Sequence, residues 1–514
     1  MSDAEAYERS LDPENWDELR AVAHVMLDDM LDYVRDVRDR PAWQSPSQES
    51  RDLLSAGMPR APRPIGEVYD DFKRAVLPFP TGNIHPRFWG WVMGNGTPVG
   101  MLADLLGGGM NCHVSGYDQS ATLVEKQVLG WLAELMGFPV EASGLLVSGG
   151  TAANLLGLTV ARNHALGHEV RSAGVDGRRG VVYASEQTHG WIDRSCDLLG
   201  LGENAIRKIP SDADHRVDLE ALRRCLEQDL EAGFRPVCLV GNAGTVSCGA
   251  TDDLHALADL ASRFGIWFHV DGAFGALAKL SPKYRTMVDG LERADSVAFD
   301  LHKWGYMQYE LGVVLVRRPH LQSETFAFSP SYLDRFEGGI APNPTEFASQ
   351  GIQLSRGFRA LKAWMQFSTY GTDAIGAAIE RNIDQVRSLC AQIESSPAFE
   401  QVGPSAMNVV CFRCVPEGFP EEYLDELNIE LLVRVQESGV AVPSNARVGG
   451  VFALRVAHTN HRTRPEDFDV LLQTLLELAE QIQQERPQWR SAARGAVRVG
   501  GDRRLPDVGP VTGE

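Results

Sequence analysis

Lysine is a poor core residue, yet "SVAFDLHKWGYMQYELGVVLV" (residues 296–316) sets His302 and Lys303 between two runs that read as buried strand. A lysine is buried only when it is paired or neutralised, and once desolvated it can lose its proton and attack a carbonyl. Seven lysines stand against 42 arginines among the 49 basic residues, so an ordinary surface cation of this chain is an arginine. Three other stretches place polar groups after apolar runs. "LVSGGTAANLLGL" puts Gly149, Gly150 and Thr151 where backbone N–H groups at a helix start can receive one phosphate. It is neither G-x-x-x-x-G-K-[ST] nor G-x-G-x-x-G, which argues against a triphosphate loop and a nicotinamide dinucleotide. Asp271 ends the apolar run of "IWFHVDGAFGAL", where a carboxylate needs a partner such as a protonated ring nitrogen. His189 ends "VVYASEQTH". Each has a plainer reading on its own: a tight turn, a helix cap or metal ligand, a snorkelling lysine, a hydrogen-bonded loop histidine. Their occurrence on one sheet edge favours chemistry.

Together the four parts suit pyridoxal 5'-phosphate. Lys303 can bind its aldehyde, the Gly150–Thr151 turn its phosphate and Asp271 its ring nitrogen, while His189 lies over the ring face. No acidic or histidine cluster at metal-ligand spacing accompanies them, so no metal is expected.

These residues need a scaffold that brings strand ends together. Short apolar runs followed by turn residues alternate with helical patterns through the middle of the chain, which predicts an α/β fold with a mainly parallel sheet covered on both faces. Ligands of such sheets bind beyond the carboxyl ends of the strands, so the polar groups to collect are Ser148–Thr151, Glu186–His189, Asn242–Thr245, Asp271 and Asp300–Lys303. Residues 14–40 read as an amphipathic helix, within an N-terminal segment 1–85. The large domain is expected over 86–390 and ends in a long helix near 355–395. "NVVCFRCV", "VAVPSNARV" and "VFALRVAHT" predict a smaller C-terminal α+β domain over 391–485. Residues 486–514 have little to bury and read as a flexible tail.

The 514-residue chain is 44% hydrophobic and 23% charged, with a formal net charge of -20, which argues against nucleic acid or an anionic membrane as partner. No apolar run is long enough to span a bilayer, and the first residues are acidic rather than apolar. The eight cysteines are scattered, and Cys411 and Cys414 read as core thiols of a strand. The expectation is a cytoplasmic protein.

"HVDGAFGA", "DLHKW", "SPSYL" and "LSRGFRALKAW" resemble the group II pyridoxal-phosphate decarboxylases, which include aromatic-L-amino-acid decarboxylase and, more distantly, glutamate decarboxylase. The resemblance covers roughly residues 14–485. It implies the fold-type I, aminotransferase-like architecture and an intertwined homodimer with shared active sites, whose N-terminal helix wraps the partner. By position it makes Lys303 the lysine that binds the cofactor covalently and Asp271 the pyridinium partner, with Ala273 under the ring and His189 above it. Gly150, Thr151, Asp300 and His302 would surround the phosphate, and Ser355 would reach it from the other subunit. Tyr332, in "SPSYLDRFEGGIAPNPT", would return a proton after CO2 leaves. Relatives that make aldehydes tend to carry phenylalanine there, so Tyr332 with His189 favours plain amine formation.

The substrate is an amino acid whose side chain is less legible. "HPRFWGWVMGNGTP" aligns with the wall of the side-chain pocket, where Trp89 and Trp91 favour a flat or apolar group, although both can equally be core tryptophans. Gly94, Val246 and Glu310 depart from the aromatic-acid enzymes, which leaves an acidic, basic or unusual amino acid open, and Arg87 is one residue that could accept an acidic one. The alternatives to decarboxylation are an oxidative, aldehyde-forming decarboxylase, an aminotransferase, and a non-catalytic cofactor-binding homologue.

Overall fold

Strands buried on both faces need no polar alternation, and the central strands of this protein have none. The computed structural model describes residues 10–327, 338–343, 346–487 and 489. Helix α1 (Trp16–Arg35) starts where the Asn15 side chain accepts from the N–H groups of Asp17 and Glu18. Helices α2 (Pro98–Met110) and α3 (Ser120–Leu135) follow. Then comes the alternation: β1 (Ser143–Val147), α4 (Gly150–Leu166), β2 (Gly180–Ser185), α5 (Trp191–Leu198), β3 (Ile206–Ile209), α6 (Leu219–Glu231), β4 (Arg235–Asn242), α7 (Leu254–Phe264), β5 (Trp267–Asp271), β6 (Ser296–Asp300) and β7 (Gly312–Val316). They form one seven-stranded sheet in the order β1-β7-β6-β5-β4-β2-β3. Strand β7 runs antiparallel to both neighbours and the other pairings are parallel. The mainly parallel sheet expected from the sequence is therefore present, with β7 the reversed strand.

The carboxyl ends of β1, β2, β4, β5 and β6 open on one edge, and the reversal of β7 brings its first residue to the same edge. That approach is close. A Cβ on Gly312 would lie 2.5 Å from the Gly149 Cα, so only glycine fits where β7 meets the turn after β1.

Helix α8 (Ala360–Ser395) breaks at Gly371, whose φ of 73° lies in the left-handed region. It is the rod between two cores. Ile375, Ile379 and Ile383 belong to the core of the large sheet, while Val386, Leu389 and Ile393 belong to the second core. That second core is built on β8 (Phe399–Gln401), β9 (Val409–Cys414), α9 (Leu424–Glu437), β10 (Ser444–Val448), β11 (Val451–Ala457) and α10 (Pro465–Glu485), with an antiparallel sheet in the order β10-β11-β9-β8. Cys411 and Cys414 are buried in β9, and burial raises both thiols to about 12. Among the described residues, no helix is long and apolar enough to cross a membrane.

Candidate active site

At the end of β6 the chain turns through Asp300, His302 and Lys303. Lys303 Nζ lies 2.9 Å from Asp300 Oδ2, so the out-of-place lysine has a buried carboxylate behind it. His302 accepts the Leu311 N–H at Nδ1 (3.0 Å), which leaves its proton on Nε2, 3.8 Å from Asp300 Oδ2. Burial is the main cause holding this imidazole below its ordinary range, against the opposing pull of Asp300. Asp300 Oδ1 is buried and has no hydrogen-bond partner.

This group underlies the turn after β1. A Cβ on Gly150 would come within 2.9 Å of Asp300 Oδ2, and one on Gly149 within 3.3 Å of His302 Cε1. The glycines therefore let the backbone pass directly over the Asp300–His302 pair. Helix α4 begins at Gly150 with no side chain capping its first turn. Its N-terminal N–H groups are thus available to an anion, with the helix dipole in their favour.

Across the edge, Asp271 ends β5. Its Oδ1 accepts the Ala273 N–H (3.1 Å) and its Oδ2 accepts the Trp191 indole N–H (2.7 Å). Beneath it, His269 is fully buried between Ser296 Oγ (2.7 Å) and Asn154 Oδ1 (2.7 Å), and burial lowers its pKa to about 4. Neutral, it accepts from Ser296, whose oxygen takes the Trp267 indole N–H (2.8 Å), and donates to Asn154. His189 Nδ1 accepts the Trp191 backbone N–H (3.2 Å). Asn242, at the end of β4, donates to Thr188 Oγ1 (3.1 Å) and Asp252 Oδ2 (2.9 Å), which ties that strand end to the His189 loop.

These ends enclose a cavity of about 240 Å³. Gly150, Thr151, His189, Asp271, Ala273, Lys303 and Trp91 line it, together with Asn154, Trp191, Asn242, Thr245, Val246 and Phe274, among others. A larger groove of about 600 Å³ between Trp131 and Phe367 has one titratable residue, Glu134, in its lining, so chemistry rather than size selects the site. The residues present fit pyridoxal phosphate. The uncapped helix start suits a phosphate, Lys303 offers an amine beside it, and the buried Asp271 carboxylate offers a partner for a ring cation. Among the described residues, no group of three or more potential metal ligands occurs.

Several expectations from the sequence need placing or correcting. Asp300 and His302 stand behind Lys303 and under the turn, outside the cavity lining. Trp89 is not a wall of the cavity. Its ring stacks on Phe468 with centroids 4.7 Å apart, its N–H reaches Thr463 Oγ1 (3.2 Å), and its backbone pairs with Val442 and Ala457. The segment thus lies along the small domain and turns residue 89 into that core, leaving Trp91, 51% exposed, at the cavity. Arg87 is tied to Val440 O (2.6 Å) and lies 3.6 Å from Asp467, so it does not face a substrate. Glu310 pairs with Arg359 (2.8 Å). Ser355 is exposed and outside this chain's cavity, and Tyr332 lies outside the described residues.

Sequence reasoning missed Trp191, Asn154 and Arg455. Arg455 is 3% exposed and donates to Ser247 O (3.0 Å) and Trp91 O (3.0 Å), so it clamps two segments of the cavity wall from behind. It also missed the pair Arg356 and Glu125, both fully buried. Arg356 hydrogen-bonds Glu125, Val114 O (2.8 Å) and Leu146 O in β1 (2.8 Å), which fixes the loop bearing Ser355 to the strand before the Gly149–Gly150 turn. Either Arg356→Met or Glu125→Leu strands a buried charge and is expected to cost about 3–5 kcal/mol, read as a fall in urea midpoint. The double variant is expected to lie nearer the wild type than either single one, and additive losses would contradict this account.

The family model described as "Pyridoxal-dependent decarboxylase conserved domain" matches residues 46–415. An aromatic-L-amino-acid decarboxylase of Bacillus atrophaeus is 33% identical over 470 residues, covering 91% of this chain and 96% of that relative. A phenylacetaldehyde synthase of Arabidopsis thaliana is 31% identical over 461 residues, covering 87% of this chain and 93% of the relative. Among solved structures, an Oryza sativa TDC with PLP and tryptamine superposes with a TM-score of 0.84 at 28% identity, covering 92% of this chain and 100% of that one.

Proposed function

The chain belongs to the pyridoxal-dependent decarboxylase family, and from that premise we propose that it converts an aromatic or related L-amino acid to the amine and CO2. It is a pyridoxal-phosphate-dependent decarboxylase, a lyase, of the α/β fold shared with solved enzymes of that kind. The observation that carries the residue assignment is one cavity lined by Lys303, Asp271 and the uncapped start of α4.

When bound, the cofactor supplies an aldehyde that takes up amino groups and a protonated ring that draws off the electron pair left by departing CO2. Lys303 would hold the aldehyde through its amine, with the Asp300 carboxylate behind it at 2.9 Å. Gly150 and Thr151 would bind the phosphate through backbone N–H groups, and Asp271 would keep a proton on the ring nitrogen. His189 and Ala273, both in the cavity lining, would hold the two faces of the ring. Tyr332 returns a proton to the α-carbon, as its match to the family pattern suggests.

An uncharged, flat side chain is favoured by Trp91, Val92, Val246 and Phe274 in the lining, and by Lys303 being the one lysine or arginine among the described lining residues. The aromatic amino acids named for the Bacillus atrophaeus relative and the tryptamine named with the Oryza sativa structure point the same way. The phenylacetaldehyde synthase relative supports a second reading, aldehyde formation. A homodimer accounts for two exposed features: α1 buries none of its residues and exposes Trp16, Val25 and Leu31, and Ser355 is exposed and outside the lining of its own cavity. A cytoplasmic setting is supported by eight unpaired cysteines, and the charge of -20 disfavours nucleic acid and anionic membrane.

The test is product analysis of the purified holoenzyme across the amino acids. Amine and CO2 in equal amounts from an aromatic substrate are expected. Aldehyde with ammonia would transfer the assignment to the second reading, and activity confined to acidic substrates would overturn the substrate class.

A further inference from the structure

We propose that Trp191 is a positioning residue of this site: its indole N–H aims the Asp271 carboxylate at the ring nitrogen of the cofactor. The proposal rests on Asp271 being that nitrogen's partner. The terminal torsion of an aspartate is broad, so the single backbone bond from Ala273 N does not fix the plane of the group. The 2.7 Å bond from Trp191 Nε1 supplies the second point, on the other oxygen and from a different element, the first turn of α5. A carboxylate has about four acceptor positions, so two donors leave lone pairs for a cation in the cavity.

Trp191 is itself held rigidly. It is 2% exposed, and its ring meets His269 edge-on, with centroids 5.9 Å apart and planes at 74°. His269 is in turn locked between Ser296 and Asn154. The backbone N–H of Trp191 also donates to His189 Nδ1 (3.2 Å), which puts that imidazole's proton on Nε2. One residue thus sets the carboxylate with its side chain and the tautomer of the ring-covering histidine with its main chain. The plainer account is that a buried tryptophan needs an acceptor and Asp271 happens to supply it. The two accounts differ in whether the ring nitrogen matters.

The experiment measures dissociation constants of two cofactors for the full-length apoenzyme: pyridoxal 5'-phosphate, and an analogue with C–H in place of the ring nitrogen. The proteins are wild type, Trp191→Phe, Asp271→Ala, and a protein with β-(3-benzothienyl)alanine at position 191, which keeps the indole shape without the N–H and covers failure of Trp191→Phe to fold. Loss of the indole donor is expected to weaken pyridoxal phosphate about tenfold and the analogue by less than about twofold. Equal losses for both cofactors, or none for either, would overturn the proposal. If Asp271→Ala discriminates between the cofactors and the residue-191 variants do not, Trp191 alone loses its role. If Asp271→Ala does not discriminate, the reading of Asp271 falls and this proposal with it.

Discussion

Replacing Lys303 by alanine is expected to lower decarboxylation by about 10⁴-fold or more and to abolish the absorption of the covalently held cofactor. Alanine also strands Asp300, which is 1% exposed and has Lys303 Nζ as its close cation at 2.9 Å. Some of the loss would therefore come from destabilisation rather than missing chemistry. Lys303→Arg separates the two. Arginine keeps a cation for Asp300, but its guanidinium stays protonated and cannot attack an aldehyde. The arginine variant should hold close to wild-type stability by urea titration, still bind the cofactor non-covalently through the α4 turn, and remain inactive. Appreciable turnover by Lys303→Arg, or an unchanged visible spectrum in either variant, would remove Lys303 from the mechanism.

What the sequence made legible is what depends on local pattern. Strand, turn and helix over residues 143–166 and 180–198 follow from apolar runs cut by glycine, and the order of polar strand ends located Asp271 and Lys303 on one edge. Strand β3 was missed because "IRKI" is a part-exposed edge strand carrying two charges, which blunts the apolar signal. Strand β8 is three residues long, with a single buried position. Trp89 and Trp91 are equivalent in sequence, and only the pairing of residues 88 and 89 with the small domain decides which of them enters a core. Arg356 and Glu125 lie 231 residues apart, and no local rule pairs them. Trp191 illustrates the same limit at the site: helix start and burial are readable, but its acceptor stands 80 residues away at the end of strand β5.

Acid is expected to unfold the protein near pH 5, well above the carboxylate range, because it buries neutral histidines. Burial lowers His269, His85 and His461 to about 4 and His458 to about 3. The folded state thus stays neutral at these rings while the unfolded chain takes up protons as pH falls through about 6.5. The unfolded state binds more protons between about pH 6.5 and 4, so stability is full above this window and is lost on descending through it. Each ring contributes a slope of at most about 1.4 kcal/mol per pH unit, so the four together remove up to about 5.5 kcal/mol for each unit descended, against a typical total of about 5–15 kcal/mol. Buried Glu125 and Asp252 oppose this, since burial raises them and the folded state takes protons there first, but they are two against six histidines lowered by burial, His164 and His302 included. The geometry explains why the rings resist protonation. His458 Nδ1 is buried without a partner, so a second proton would have no acceptor. His269 is fully buried with no charged group against its nitrogens, and His85 lies beside Arg87, whose charge lowers it further. Urea midpoints measured from pH 7.5 to 4.5 should begin to fall below about pH 6.5, and His458→Asn should flatten that fall by about one proton. A midpoint unchanged between pH 7 and 5 would mean that the buried rings are protonated in the folded state, or reach solvent before the fold gives way.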